Sequence, residues 1–278
     1  MVRNVYIKNV IMKTTNIYLF LVVFLIGLIS SCEQAKDEVV VVANNDYLLM
    51  STLFQQNAAE KRALSYQAYN IAKLMLNNEL RMGRLTKKLA IVVDIDETVL
   101  DNSPFEAKSI LENTEYPTYW NHWCELANAV PLAGSVELLL YAESKGVDVF
   151  YITNRKIALM DATLKNLKDK GFPFADKEHI LMRTDESNKE PRRKIVEANH
   201  HIVLLMGDNL GDFLHDFDDK SIEERFALTD SLRNEFGHRF IMLPNPMYGS
   251  WVNELFNNNL KLSKEEKIEI FKKKLISF

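Results

Sequence analysis

Five apolar runs, most of them ending in polar or charged residues, constrain this chain more than any other feature. AIVV (90–93) runs into Asp94, VDVFYI (147–152) into Thr153-Asn154-Arg155, and HIVLLM (201–206) into Gly207-Asp208, while HILMRT and RFIMLP complete the set. Between them lie amphipathic stretches such as SVELLLYAESKG, MDATLKNLKDKG and PRRKIVEANH. Continuous apolar strands alternating with helices of ~10–15 residues are the pattern of a parallel sheet covered on both faces. The expected fold is α/β, a Rossmann-like parallel sheet with helices on both sides. Gly146 and Gly171 stand where helix C-termini would be capped.

A chain of 278 residues, 47% of them hydrophobic, can bury a sizeable core, as one large domain or a core plus a small accessory one. The formal net charge of -4 offers neither a nucleic-acid footprint nor a polybasic membrane patch. Residues 17–30, IYLFLVVFLIGLIS, follow Lys13 and precede a polar stretch, which makes residues 1–31 an expected signal peptide. This apolar run is short of the ~20 residues that span a bilayer. It ends in Ile29-Ser30-Ser31-Cys32, which resembles the lipobox of bacterial lipoproteins, with Cys32 as the lipidated residue and 32–45 as a tether. Met12, followed by Lys13, is a more ordinary start than Met1. The second of the two cysteines, Cys124, then has no intramolecular partner and reads as a buried small side chain in WNHWCELA.

Residues 47–87 read as one or two helices. Their apolar positions Leu64, Tyr66, Tyr69, Ile71, Leu74 and Leu76 form no single stripe, so burial on more than one side is expected. The C-terminal LKLSKEEKIEIFKKKLISF reads as an amphipathic helix whose basic residues form a solvated face. Between the first strand and SVELLL lies an aromatic-rich insertion. In open parallel sheets ligands bind beyond the carboxyl ends of the strands, so this insertion is placed to roof a site.

The strand ends carry the chemistry. Asp94 and Asp96 end one strand, Asp208 and Asp212 follow another in GDNLGDF, Thr153-Asn154-Arg155 ends a third, and Lys189 lies in the loop after HILMRT. Acids to hold a hard cation and donors to hold an oxyanion would converge at one edge. The crowding of Asp94 and Asp96 is costly in a low dielectric, a cost that a divalent cation offsets.

DIDETVLDNSPF, FYITNR, LMRTDESNKEPRR, GDNLGDF and IMLPNPMYGSW, in this order, resemble the motifs of the haloacid dehalogenase (HAD) superfamily, and within it the class C acid phosphatases of the lipoprotein e and 5'-nucleotidase branch. The resemblance covers about residues 45–260. It implies a HAD-like phosphatase domain over 46–278 with a small helical cap region, formed by about 46–88 and 102–135. It implies a Mg2+-dependent acid phosphatase acting on phosphomonoesters, including nucleoside 5'-monophosphates. Asp94 would be the nucleophile, forming an aspartyl-phosphate, and Asp96 the acid and then the base. Such a double role calls for a carboxyl group whose two protonation states are close in energy, and the neighbouring Asp94 anion favours the protonated one. The metal set would be Asp94, the main-chain carbonyl of Asp96 and Asp208, with Asp212 orienting the metal's waters. Thr153 and Lys189 would hold the phosphoryl oxygens, while Asn154 and Arg155 fit loop support as well as binding. Thr98 would hydrogen-bond the nucleophile loop, and Asp101 and Asn102 would turn the chain into the insertion. Trp120, Tyr248 and Tyr116, from a cluster that also holds Tyr119 and Trp123, would stack on the leaving group. The expected partners are a small phosphomonoester and, through a lipid anchor on Cys32, the bacterial outer membrane or cell envelope, without nucleic acid; a homodimer stays open. Two other functions compete: a non-catalytic surface lipoprotein binding a ligand such as heme, for which the six histidines form no recognisable pattern, and a phosphotransferase using the same site.

Overall fold

The computed structural model describes residues 45–83 and 87–278. The expected signal peptide, Cys32 and nearly all of the tether lie outside the described residues. After a 3-10 turn at Asn45–Leu48 come two helices, α1 (Leu49–Asn57) and α2 (Ala59–Met82). Helix α2 is buried along one stripe, Ser65, Ala68, Tyr69, Ala72 and Leu76, whereas Leu64, Tyr66 and Leu74 are exposed. This corrects the expectation of burial on several sides. The buried face is made largely of small residues, which let the helix approach the sheet closely, so large apolar residues alone mislead about which face is inside.

The central architecture is as expected, a parallel α/β sheet. β1 (Lys88–Val93) leads into the short β2 (Leu100–Asp101), then α3 (Ser103–Leu111), α4 (Trp120–Glu125) and β3 (Val130–Pro131). There follow α5 (Ser135–Ser144), β4 (Asp148–Lys156), α6 (Met160–Asp169), β5 (Ile180–Arg183), α7 (Glu190–Asn199), β6 (His200–Gly207), α8 (Ile222–Ser231), β7 (Phe240–Met242), α9 (Ser250–Leu255) and α10 (Lys264–Lys274). The strand order is β5-β4-β1-β6-β7, every neighbouring pair parallel. β2 and β3 pair antiparallel and close the neck of the insertion that carries α3 and α4. Gly146 (φ 73°) and Gly171 (φ 80°) lie just beyond α5 and α6 in the left-handed conformation, as their placement predicts.

Alternation along the strands sorts the core onto two faces. Ile91 and Val93 pack on one side with α2, α5 and α6, and Ala90 and Val92 on the other with Val196 of α7 and Phe213. β6 breaks this rhythm: Ala90 pairs with Ile202 but Ile91 with Leu204, and Val203 is the extra residue. The bulge explains why Ile202 and Leu205, three apart, share a face. Cys124 is buried, as expected, and burial pushes its thiol up to about 12. Among the described residues no helix is long and apolar enough to cross a membrane.

Candidate active site

The sheet holds Asp94 in place even after β1 ends, because its N–H donates to the Met206 carbonyl of β6 at 2.9 Å. The chain then turns sharply. The Ile95 carbonyl accepts from the N–H groups of both Val99 and Leu100, each at 2.9 Å, and Glu97 takes a left-handed conformation with φ 56°. Such a conformation is unfavourable for a non-glycine residue and marks a backbone held by its surroundings. Part of that hold comes from α2, where the Tyr69 hydroxyl donates to the Thr98 carbonyl. The turn sends Asp94 and Asp96 to different partners.

Asp94 joins Asp208 and Asp212, whose carboxylate oxygens lie within 4.8 Å of one another. Lys189 is the cation among them, paired with Asp94 and, at 2.7 Å, with Asp212. Thr98 Oγ1 lies 3.4 Å from oxygens of both Asp94 and Asp208, and its single proton can serve one of them at a time. Asn245 donates from Nδ2 to Asp208 at 2.8 Å. Asp212 is fixed by the Asn209 N–H at 3.0 Å, within a capped 3-10 turn over Leu210–Asp212. Gly207 is required here, since a Cβ on it would fall on the Asp212 side chain. Burial pushes Asp94 up to about 7, with Lys189 pulling it back and Asp212 and Asp96 adding to the rise. Asp208 is held well above the carboxylate range by burial and then by Asp212 and Asp94. Against the lowering effect of burial, Asp212 and Asp94 raise Lys189 above the usual lysine range.

Among the described residues Lys189 alone forms ion pairs with these three carboxylates, with Arg193 held on the Asp212 carbonyl, so direct pairing leaves them short of positive charge, which a divalent cation would supply. The donor set is entirely oxygen, which suits a hard ion such as Mg2+. The residues present therefore fit the expected metal. Asp212 falls within the same 4.8 Å group as Asp94 and Asp208.

Asp96 is different. Its carboxylate receives Arg155 Nη2 at 2.7 Å and Nε at 2.9 Å, with Asn102 Nδ2 at 2.8 Å. Arg155 reaches it because β4 runs past Thr153 to Lys156 instead of ending there, and carries two more residues than β5 between the pairs Ile152–Leu181 and Lys156–Arg183. Irregular pairing of this kind re-aims side chains at the rim of a sheet. Thr153 and Arg155 thus both point inward, while Asn154 is exposed. The Arg155 guanidinium also lies 5.7 Å from the Trp120 ring centre, and Asn102 is held by Trp123 Nε1 at 2.8 Å. Glu97, buried beside them, accepts the Asn102 N–H at 2.6 Å and is pushed far up by burial, then by Asp96 and Asp208. Asp96 thus has a buried cation in direct contact.

One pocket of about 540 Å³ brings together Asp94, Asp96, Lys189, Asp208, Asp212, Tyr116, Trp120 and Tyr248. Thr153 is not in its lining: the residue is fully buried, its hydroxyl accepts the Arg155 N–H at 3.0 Å, and its carbonyl accepts Arg192 Nη1 at 2.6 Å. The hydroxyl proton is still available to donate. Tyr119 and Trp123 also lie outside the lining. Trp120 is set by edge contacts with Phe105 and Tyr116, their ring centres 5.1 and 6.0 Å away. Sequence reasoning undervalued Arg155 and missed Asn245, which lies in the quoted PNPMYGSW stretch. It also missed Lys267 of α10, which lines the pocket and pairs with Glu115 at 3.0 Å, where only a solvated face was expected.

Comparison with known proteins agrees with this fold. The class C acid phosphatase of Bacillus anthracis is 48% identical and superposes with a TM-score of 0.81, covering 84% of this chain and 98% of that one. A second structure of that enzyme, with tungstate bound, matches at 47% identity and the same TM-score of 0.81. Acid phosphatase 1 of Solanum lycopersicum is 27% identical over 169 residues, which span 56% of this chain and only 57% of that relative's length. The sequence profile of the HAD superfamily, subfamily IIIB (Acid phosphatase), matches residues 32–251. With that match over most of its length, the chain belongs to subfamily IIIB of the HAD superfamily, the acid phosphatases.

Proposed function

We propose that this protein is a Mg2+-dependent phosphomonoesterase working through an aspartyl-phosphate on Asp94, with nucleoside 5'-monophosphates among its substrates. The observation that carries the proposal is the cluster of Asp94, Asp208 and Asp212 around Lys189, in a pocket walled by aromatic rings. Mg2+ would be held by Asp94, Asp208 and the Asp96 main-chain carbonyl, beside Asp212, and would supply positive charge for the phosphoryl oxygens. The Asp94 carboxylate, fixed through its backbone to β6, attacks phosphorus while Lys189 bears the charge of the non-bridging oxygens. Thr153 donates its hydroxyl proton to the same group after a small rearrangement. Asp96, oriented by Arg155 and Asn102, protonates the departing alcohol and then takes a proton from the water that hydrolyses the aspartyl-phosphate. Trp120, Tyr116 and Tyr248 offer flat surfaces for a nucleobase. Tungstate is a tetrahedral oxyanion like phosphate, and its presence in the Bacillus anthracis relative supports an oxyanion site in this fold.

Phosphate release from 4-nitrophenyl phosphate and from adenosine 5'-monophosphate, with Mg2+ or with chelator, tests this reading. Chelator-insensitive turnover, or full turnover by Asp94→Asn, would overturn it. Attachment to a cell-envelope membrane through lipidated Cys32 is part of the same proposal; Cys32→Ala should release the protein, and continued membrane retention would refute the anchor.

A further inference from the structure

The acid cluster and the aromatic wall of the pocket are joined from behind by the Asn245 side chain. Beyond β7 the Leu243 N–H donates to the Gly207 carbonyl at 2.9 Å, which carries residues 244–251 past Asp208. Lys61 of α2 holds the start of this segment, donating from Nζ to the Pro244 carbonyl at 2.9 Å, and Trp251 Nε1 donates to the Asn245 carbonyl at 3.2 Å. A further tie runs from Asn209 Nδ2 to Ser250 Oγ at 3.0 Å. Met247 and Tyr248 line the pocket, whereas Asn245 is 9% exposed and is not in the lining.

The two ends of the Asn245 amide serve different regions. Oδ1 accepts the N–H groups of Met247 at 3.0 Å and Tyr248 at 3.4 Å, while Nδ2 donates to Asp208 Oδ2 at 2.8 Å. The ends cannot be exchanged, because an N–H only donates, so the oxygen must face Met247 and Tyr248 and the nitrogen is left for Asp208. Pro246 has no N–H, which makes Met247 the first residue after Asn245 able to close this turn. An asparagine that accepts from an N–H two residues on bends the backbone as a turn does. The other Asp208 oxygen, Oδ1, is the one 3.4 Å from Thr98 Oγ1. One planar amide thus fixes both the rotation of the Asp208 carboxylate and the path of the backbone into Tyr248.

On the premise that the acid cluster takes Mg2+ and that Tyr248 meets a nucleobase, we propose that Asn245 is a positioning residue for both. Its donor arm orients Asp208 for the cation, and its acceptor arm sets Tyr248 against the leaving group. Partners that orient a ligating carboxylate contribute about 10- to 100-fold to metal affinity. Hydrolysis needs the phosphoryl group and the leaving group placed together, and a support shared by the two regions fixes the spacing between them.

Two variants test this: Asn245→Ala removes both arms, and Asn245→Ser separates them. A serine hydroxyl accepts from the N–H two residues on, as asparagine does, but it ends one bond short of the amide nitrogen that meets Asp208 and adds no charge. Calorimetric titration with Mg2+ alone, and with adenosine alone, reads each region without turnover. Asn245→Ala should weaken Mg2+ binding about tenfold and adenosine binding roughly fivefold. Asn245→Ser should weaken Mg2+ binding to the same extent while adenosine affinity stays within about twofold of wild type, a split that decides the matter even where Asn245→Ala fails to fold. A residue that merely supports the fold would lower both affinities together in Asn245→Ser, and that result would overturn the proposal. So would an unchanged Mg2+ affinity in either variant, or an unchanged adenosine affinity in Asn245→Ala. If wild type itself fails to bind Mg2+ or adenosine, the underlying reading of the pocket fails, a result distinct from variants that bind both as wild type does.

Discussion

The two acidic positions of the DxD loop sit two residues apart yet live in opposite electrostatic situations. Asp94 belongs to a buried group of three carboxylates with one lysine, a group short of positive charge. Asp96 belongs to a balanced pair, its charge matched by an arginine whose side chain is 1% exposed. An unbalanced buried cluster is destabilising by itself and is retained where a bound cation or substrate restores the balance. A balanced pair can hold a carboxylate in one orientation whether or not ligand is present. The comparison teaches that proximity in sequence says little about shared surroundings: one acid sits in a cluster short of positive charge, the other in a matched ion pair.

The largest effect expected from breaking this arrangement is on turnover. Asp94→Asn should lower kcat by about 10³-fold or more, measured as phosphate release, because Asp94 is the proposed nucleophile. Next comes metal removal. Chelation should reduce activity by about 10²-fold or more, restored by added Mg2+, and should lower the Tm, since a ligand at 100 times its Kd contributes about 2.7 kcal/mol.

The stability of the metal-free protein divides the two acids most sharply. Asp96→Asn leaves Arg155 buried without its anion and should cost roughly 3–5 kcal/mol. Asp208→Asn removes a like charge from the unbalanced cluster and should raise the metal-free Tm by about 3 °C. Denaturation of both variants in chelator checks the contrast; a loss of stability in both would remove it.

The smallest effect concerns pH and lies at Glu106, which lines the pocket. Glu106 is raised from 4.5 to about 7 in the folded protein. Between those values the native state keeps a proton that the unfolded chain releases, so this contribution is fully present at low pH and is lost as pH rises through that window. Glu106→Gln should flatten the fall in Tm between pH 4.5 and 7 by about 3 °C, read by thermal melts across that range.

Much of this was legible in the residues. The alternation of apolar runs and amphipathic stretches implied the parallel sheet, and polar residues at the ends of those runs implied that Asp94, Lys189, Asp208 and Asp212 would meet. The reason is that strand direction is common to a parallel sheet, so every C-terminal end opens on the same edge. Arg155 was harder to place, because the strand pattern gives no sign of the irregular pairing that carries β4 past Thr153. The buried face of α2 was misjudged because small residues, silent in a search for large apolar ones, form it.

The sequence by itself determined which chemical groups stand at the strand ends, since local hydrophobic periodicity sets where strands stop. Only the tertiary structure decided how those groups divide. The turn after Asp94, the bulges in β4 and β6, and the docking of α10 against the loop after α3 depend on contacts between residues far apart in the chain. Those contacts put Asp94 with Lys189 and Asp96 with Arg155. Electrostatic energy varies with distance and burial, and a linear sequence specifies neither.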